Sequence, residues 1–214
     1  MVIVKNVLPE KIFKVLRNRI VYMEYPPGKL LSEKELCQEF KVSRTPLREA
    51  IKKLEDMKLV TIIPRFGTYV SAIDINEIRC AFEVKIKLEG LVGEVAAKRI
   101  TADKLAQLKS LIEKADILLK EGGHRSLIEI DASFHEIIYQ AAQNPILQEI
   151  LENLHGRCAR LWNSALSEII PIKTIIDQLK DVYAALEKRD SDRVREIMED
   201  HVRYFITQIK NQLL

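Results

Sequence analysis

The sequence contains few glycines, prolines, cysteines and aromatic residues, and it has no long run of apolar residues. Only 7 glycines and 7 prolines occur among 214 residues, and aromatic residues make up 6%, which favours long helices over a many-stranded sheet. The 3 cysteines are odd in number and far apart, so a disulfide framework is excluded and a reducing cytoplasm is expected. No apolar run reaches the roughly 18 residues of a membrane span, and the first residues lack the pattern of a signal peptide. No membrane partner is therefore expected.

Charge is present in both signs, but it is unevenly distributed along the chain. The net charge of +3 conceals a basic front end, because residues 1–72 contain 14 Lys and Arg against 8 Asp and Glu. Residues 73–214 contain 20 basic residues against 23 acidic ones. A basic module followed by a slightly acidic one predicts a DNA-binding domain at residues 1–72 and a different domain at residues 73–214.

The front end has the pattern of a winged helix-turn-helix. Apolar residues recur at helical spacing, and Ser32 with Glu35 three residues later forms a capping box at the start of a short helix. Two β-prone runs then flank a turn that contains Pro64 and Gly67. The predicted order is helices 10–23, 33–40 and 44–57, followed by strands 59–63 and 68–71.

The stretch SRTPLREA, residues 43–50, has the features of a DNA-recognition helix. Ser43 suits the N-cap, and Pro46 is tolerated in a first helical turn. Arg44 and Arg48 are four residues apart and therefore share one face of the helix. Arginine is the side chain that pairs bidentately with guanine O6 and N7 or binds phosphate. The alternative is an ordinary surface helix with scattered charge.

From Ile73 onward almost every segment reads as helix. The segments are separated by residues that begin or end helices, namely Thr101, Gly122–Gly123, Asn144–Pro145, Pro171 and Asp190–Ser191. Long amphipathic helices cannot bury their apolar faces alone, so they predict an all-helical antiparallel bundle and a mainly α protein. The predicted helices are 75–99, 102–121, 125–142, 145–167, 172–188 and 192–212.

Three side chains of the bundle have the chemistry of metal ligands. Asp131 and His135 are four residues apart on one predicted helix, so their side chains meet on the same face. His201 lies in the last predicted helix. A carboxylate with two imidazoles suits a divalent Zn, Ni, Mn or Fe ion. The alternative from the residues alone is a plain hydrogen bond between Asp131 and His135.

With both halves in view, the chain resembles the GntR family of bacterial transcription regulators, in its FadR-like branch. The N-terminal resemblance is carried by PGKLLSEKELCQEFKVSRTPLREAIKKLEDMKLVTIIPRFGTYV. The C-terminal resemblance is carried by EVKIKLEG, DASFHEII and ALEKRD followed by MEDH, which look like the FCD effector-binding domain. It implies a homodimer that binds a palindromic double-stranded DNA operator and responds to a small metabolite held in the bundle. A repressor is the expectation, although the residues do not distinguish repression from activation.

The resemblance and the local chemistry together assign the DNA contacts. Residues at the start of the recognition helix reach the major groove and its phosphates, and a basic residue of the preceding helix stands where relatives often carry a contact. The turn of the wing supplies a further cation, and its glycine lets the backbone approach DNA closely. The predicted DNA contacts are Lys34, Ser43, Arg44, Thr45, Arg48, Arg65 and Gly67.

The resemblance strengthens the metal hypothesis and reveals a departure from the family. FCD domains carry Asp-x-x-x-His and two further histidines, but the position of the middle histidine is occupied here by Leu179, which cannot bind a metal. Gln178 is adjacent, about 100° away around the helix. Either Asp131, His135 and His201 hold a metal, with water or an effector carboxylate in the remaining position, or they bind an effector directly without metal.

Cationic and polar side chains complete the predicted effector site. Lys85 stands where many relatives carry an arginine, and a cation beside a metal suits a carboxylate metabolite. Further candidates follow on the fourth bundle helix, although a solvated helix face is the alternative for its arginines. The predicted effector residues are Lys85, Arg157, Arg160 and Asn163.

Two other functions compete with a metabolite-responsive regulator. The first is a metal-dependent enzyme that uses Asp131, His135 and His201, but no nucleophile–base pair, glycine-rich phosphate loop or HExxH motif accompanies these residues. The second is a DNA-binding protein that ignores metabolites. The sequence therefore predicts a regulator that is not an enzyme.

Overall fold

A computed structural model describes residues 3–121, 124–163 and 172–213. Within these ranges it confirms the mainly α fold, with three helices and a small sheet followed by six long helices. None of the described helices has the length and apolar character needed to cross a membrane. In chain order the elements are α1 (Ile3–Val21), β1 (Leu30–Leu31), α2 (Glu33–Phe40), α3 (Arg44–Asp56), β2 (Val60–Ile63), β3 (Gly67–Val70), α4 (Ile75–Arg99), α5 (Ala102–Glu121), α6 (His124–Ala141), α7 (Pro145–Leu161), α8 (Ile172–Glu187) and α9 (Ser191–Leu213).

The described residues form two compact units, and one helix contributes to both. The first unit contains the residues up to Ile78 together with those from Gly156 to Asn163. The second contains Arg79–His155 and the described residues after Leu166. The last turns of α7 therefore belong to the first unit, although most of that helix belongs to the second.

The first unit combines a three-helix core with a three-stranded antiparallel sheet. The strand order is β1-β3-β2, with Leu30 opposite Tyr69 and Ile63 opposite Gly67. Strand β1 was not predicted, because two residues are too short to show an alternating pattern. The largest fully buried residues of this core come from α1, α3 and the loop before β2: Ile12, Leu16, Ile20, Leu47, Ile51, Leu54 and Leu59.

Local signals account for the two helices of the helix-turn-helix. The backbone N–H of Glu35 donates to Oγ of Ser32 over 3.3 Å, as expected for a capping box. Lys41 ends α2 in a left-handed conformation, with φ of 54°. Ser43 takes the N-cap position of α3, but its side chain makes no capping hydrogen bond. The prediction that Ser43 is the N-cap residue is therefore confirmed, but the expected hydrogen bond from its hydroxyl group to the helix is not formed.

The first helix is longer than predicted. The sequence predicted residues 10–23, but α1 begins at Ile3 and continues through Pro9. Proline removes one backbone donor, yet its fixed φ of about −65° is compatible with a helix. The helix boundary predicted at Gly122–Gly123, the one at Pro171 and the end of the predicted helix 145–167 lie outside the described residues.

The second unit is a helical bundle around one large core. Its helices begin at the predicted capping residues, since Thr101, Asn144 and Asp190 each accept a hydrogen bond from the backbone N–H three residues later. Gly93 lets α4 lie close to α9, because a Cβ atom there would be 2.9 Å from Cγ1 of Val194. The larger core side chains include Phe134, Ile138, Tyr139, Leu151, Ile176, Leu179, Leu186 and Met198.

Candidate functional site

Helix α3 is amphipathic, and its polar face carries the predicted recognition residues. Its buried face consists of Leu47, Ala50, Ile51 and Leu54. Because side chains that point away from a packed face meet solvent, the positions between these apolar residues are available to DNA. The predicted contacts on α2, at the start of α3 and in the wing turn are exposed: Lys34, Ser43, Arg44, Thr45, Arg48 and Arg65.

Arg48 is held by an acidic residue that the sequence analysis did not identify. Its Nε donates to both carboxylate oxygens of Glu33, each over 3.1 Å. The contact uses Nε, which leaves the two terminal amino groups of the guanidinium for a guanine edge or a phosphate. Glu33 lies 15 positions earlier in the chain, so no helical spacing indicated the pair.

The wing turn has two residues with positive φ. Arg65 has φ of 69° and an exposed side chain. Gly67 has φ of 130°, a backbone conformation that residues with a side chain rarely adopt, so this position favours glycine. Between them Phe66 is 75% exposed, which the sequence analysis also did not single out.

The second unit gathers the three predicted metal ligands. Asp131 and His135 lie on α6 and His201 lies on α9, and all three are buried. The two Nε2 atoms of the histidines are 3.3 Å apart. Oδ1 of Asp131 lies 3.5 Å from Nε2 of His201 and 3.8 Å from Nε2 of His135. The i, i+4 spacing on α6 therefore brings the side chains of Asp131 and His135 together. The fold adds the side chain of His201, which lies 66 positions after His135 in the chain.

These distances fit a common metal ion. Ligand atoms at 2.0–2.2 Å from a tetrahedral ion lie roughly 3.3–3.6 Å from one another, a range that includes two of the three distances, and the third, 3.8 Å, is slightly longer. Oδ1 of Asp131 is buried and makes no hydrogen bond with any described residue, which is costly for a carboxylate oxygen without a cation. Among the described residues, Asp131, His135 and His201 are the group whose ligand atoms all lie within 4.8 Å of one another.

Both histidines have a polar neighbour on the outer nitrogen, but only one of the two contacts is a hydrogen bond. Nδ1 of His201 donates to Oε1 of Gln178 over 2.9 Å. Nδ1 of His135 lies 3.3 Å from Oε2 of Glu89 without a hydrogen bond between them. Lys85 and Tyr139 both donate to Oε1 of Glu89. The hydrogen bond to Gln178 places the proton of His201 on Nδ1 and turns the lone pair of its Nε2 toward the site, as in known metal centres.

Charge interactions set the protonation of these groups. Burial alone would raise the pKa of Asp131, but the positive charge of His135 and the close approach of His201 outweigh it and lower the pKa to about 2. Burial would lower the pKa of His135, but Glu89 and Asp131 together raise it. Burial dominates at His201 and lowers its pKa. Asp131 is therefore an anion and His201 a neutral imidazole at neutral pH.

Leu179, which stands where the family has its middle histidine, is part of the hydrophobic core. Leu179 is 2% exposed and packs in the hydrophobic core of the second unit. Gln178 had been expected to point away from the site because it is offset around α8. The side chain of Gln178 nevertheless reaches His201 and accepts a hydrogen bond from its Nδ1 atom. The contact of Gln178 with His201 was not predicted, and Glu89 was missed altogether. Of these contacts, only that between Lys85 and Glu89 was indicated by i, i+4 spacing.

The other predicted effector residues have different surroundings. Lys85 is 5% exposed and bound to Glu89 in the second unit. Arg157 donates to the carbonyl of Met57 and to Glu77, with N–O distances of 3.2 and 2.7 Å. These partners belong to the first unit.

Arg160 and Asn163, the two remaining candidates, also bind backbone carbonyl groups of the first unit. Arg160 donates to the carbonyl of Ser71, and Asn163 donates to the carbonyl of Val21 over 2.8 Å. Their donors stabilise the first unit, and an effector role for Arg157, Arg160 and Asn163 stays a prediction.

Comparison with known proteins agrees with this architecture. Residues 8–70 match the family model for bacterial regulatory proteins of the gntR family, and residues 80–204 match the FCD domain. The HTH-type transcriptional repressor RspR of Escherichia coli is 31% identical over 194 residues, which cover 91% of this chain and 85% of RspR. The HTH-type transcriptional regulator McbR of Escherichia coli is 25% identical over 199 residues, covering 90% of each chain.

Solved structures have the same fold. The structure of E. coli McbR/YncC superposes with a TM-score of 0.84 at 22% identity and covers 97% of this chain and 99% of its own. A GntR regulator from Rhodococcus sp. RHA1 gives a TM-score of 0.76 at 18% identity, with coverage of 95% and 97%. The winged module, the helical bundle and these relatives agree: the chain belongs to the GntR family of bacterial transcription regulators with an FCD effector-binding domain, and it is not an enzyme.

Proposed function

We propose that the chain is a metabolite-responsive regulator that binds a palindromic operator as a homodimer. Residues 1–72 contact DNA in this proposal, and residues 73–214 bind the effector and hold the dimer together. A single winged module buries too little surface for high affinity, which favours two half-sites bound by two copies. The name of RspR, a transcriptional repressor, supports repression as the sense of regulation. Because it acts on bacterial DNA, the proposed location is the cytoplasm.

The proposed DNA contacts divide into base readers and backbone contacts. Arg44, Thr45 and Arg48 are assigned to the major groove, and Lys34 to a phosphate beside it. Arg65 and Gly67 are assigned to the backbone or minor groove at the wing. The N-terminal amides of α3 favour a phosphate beside Ser43, whose hydroxyl makes no capping bond within the helix.

Glu33 is expected to set specificity through Arg48. Replacing Glu33 with alanine frees the guanidinium and also removes a negative charge, so binding to random DNA should become slightly tighter. Binding to the operator should weaken by about 0.5–1.5 kcal/mol, the usual net contribution of one hydrogen bond. Fluorescence anisotropy with operator and random duplexes at fixed salt measures both. Glu49→Ala, which removes an exposed carboxylate of the same module, is the control. An unchanged ratio of the two affinities in Glu33→Ala would show that Glu33 does not position Arg48.

The proposed regulatory centre is a divalent Zn, Ni, Mn or Fe ion held by Asp131, His135 and His201. The observation that carries it is the pair of Nε2 atoms, 3.3 Å apart, facing one buried carboxylate. When bound, the ion supplies a positive charge and an exchangeable position for an anionic group.

The charge of the surrounding residues favours an anionic effector. Asp131 and Glu89 together balance a divalent ion, and histidines add no charge once they bind it, because a metal-bound imidazole is neutral. The buried ammonium group of Lys85 then leaves the centre with a net positive charge. A small carboxylate metabolite fits this charge, and it is the effector class that we propose.

The proposal is tested by a screen of carboxylates against the zinc-loaded protein. We expect a true effector to raise the melting temperature and to change the Kd for the operator, because a ligand that prefers one state shifts the population toward it. The same compound should do neither with His135→Ala. A shift that persists without metal would favour direct binding by the same residues. A screen in which no carboxylate changes either quantity would favour a DNA-binding protein that ignores metabolites.

A further inference from the structure

A fourth imidazole lies beside the three proposed ligands. His155, on α7 within the second unit, has its ring centre 5.5 Å from that of His135. The rings of His135 and His201 are 5.2 Å apart, and their Nε2 atoms are near enough to share an ion. The two ring pairs are tilted by similar angles, 50° and 45°. The ring of His155 therefore lies about as far from that of His135 as the rings of the two proposed histidine ligands lie from each other.

His155 has no other evident task in the part of the chain that the structure describes. It is half-buried, and within the described residues it makes neither a hydrogen bond nor an ion pair. Because neither ring nitrogen has a hydrogen-bond partner among these residues, both remain available to a ligand. A metal ion would give this ring a partner.

Helix α8 does not supply the missing ligand. Leu179 occupies the family position and is buried in the core. Gln178 already accepts a hydrogen bond from the outer nitrogen of His201. The three ligands that remain leave room for a further protein ligand as well as for an exchangeable effector group, because ions of this class can take five or six ligands. His155 borders that cluster from another helix.

We propose that His155 replaces the missing histidine, so that the ion is held by Asp131, His135, His155 and His201. The ligand has moved from α8 to α7. A rotation of the imidazole is required, because the ligand atoms within 4.8 Å of one another are those of the other three residues. The inference rests on the proposed metal centre and specifies its coordination.

The test counts imidazoles on the metal and measures its affinity. X-ray absorption of the zinc-loaded full-length protein should show three imidazoles in the wild type and two in His155→Ala. A competition titration with a chromophoric chelator should show zinc affinity at least about 10-fold weaker in His155→Ala, since even an outer partner of a ligand is worth 10- to 100-fold. His124→Ala, which removes the chain's remaining histidine, is the matched control and should leave both readouts unchanged.

Further variants separate a lost ligand from a damaged fold. His155→Gln keeps a polar side chain of similar size and should also show two imidazoles with an unchanged circular dichroism spectrum. Leu179→His in the His155→Ala background places a histidine at the family position and should return the count to three. Zinc binding by two imidazoles in the wild type, unaffected by His155→Ala, overturns this inference and leaves the metal centre standing. A wild type that binds no zinc overturns both.

Discussion

Replacing Arg48 with alanine is expected to weaken operator binding by about 1–3 kcal/mol, roughly 5- to 150-fold in Kd. Its side chain is 63% exposed on the polar face of α3 and is oriented through Nε by Glu33. The proposed base contact uses the two terminal amino groups, which would bind the O6 and N7 atoms of a guanine. Arg44→Ala is expected to have an effect of the same order, because it lies one turn earlier on the same face.

Lys52→Ala gives a closely matched control for this effect. Its side chain is 64% exposed, one turn further along α3, and it is paired with Glu55 and Asp56. Titrations of operator and random duplexes at several salt concentrations separate a base contact from a phosphate contact. A phosphate contact should reduce the salt slope by about one and weaken both duplexes, whereas a base contact weakens the operator selectively. Unchanged operator affinity in both Arg44→Ala and Arg48→Ala would rule out this recognition face.

Removing the bound metal is expected to destabilise the protein substantially. A ligand present at 100 times its Kd stabilises the native state by about 2.7 kcal/mol. For a chain of this size each kcal/mol corresponds to roughly 2–4 °C, so EDTA should lower the melting temperature by roughly 5–11 °C. Metal analysis should show about one ion per chain before chelation and none afterwards, and differential scanning fluorimetry reads the temperature.

His135→Ala is expected to abolish both the bound ion and the response to EDTA. The variant should also be less stable than the chelated wild type, because Glu89 and Asp131 then lose the positive charge between them. Glu136→Gln, which alters an exposed carboxylate of the neighbouring residue, should retain the ion and the full temperature shift. A wild type without metal after incubation with divalent ions, or a melting temperature indifferent to EDTA, would argue against the centre.

Local features of the chain predicted much of the fold. The capping box at Ser32, the spacing of Arg44 and Arg48, and the caps at Thr101 and Asn144 each act over one helical turn, and the structure has helices at all these places. The length of α1 and the presence of β1 were missed. Strand β1 depends on pairing with β3, a distant segment, and this pairing outweighs the shortness of the strand.

The proposed sites were predictable only in part, for the same physical reason. The i, i+4 pair of Asp131 and His135 was visible because a helix brings such residues together. The partners that orient the functional side chains come from other helices, as with Glu33 for Arg48 and Gln178 for His201. Periodicity carries no information about which face of one helix meets a particular face of another.

The end of α7 limits how the DNA-binding module of this chain could be joined to a different sensor domain. Its side chains, with Asn163 just beyond, bind the carbonyl groups of Val21, Met57 and Ser71. These carbonyls stand at or just after the ends of α1, α3 and β3, where regular structure leaves backbone acceptors unpaired. A recombination event that joined residues 1–72 to an unrelated sensor would lose all three donors. A hybrid that keeps these three hydrogen bonds would have to include residues 156–163 as well as residues 1–72.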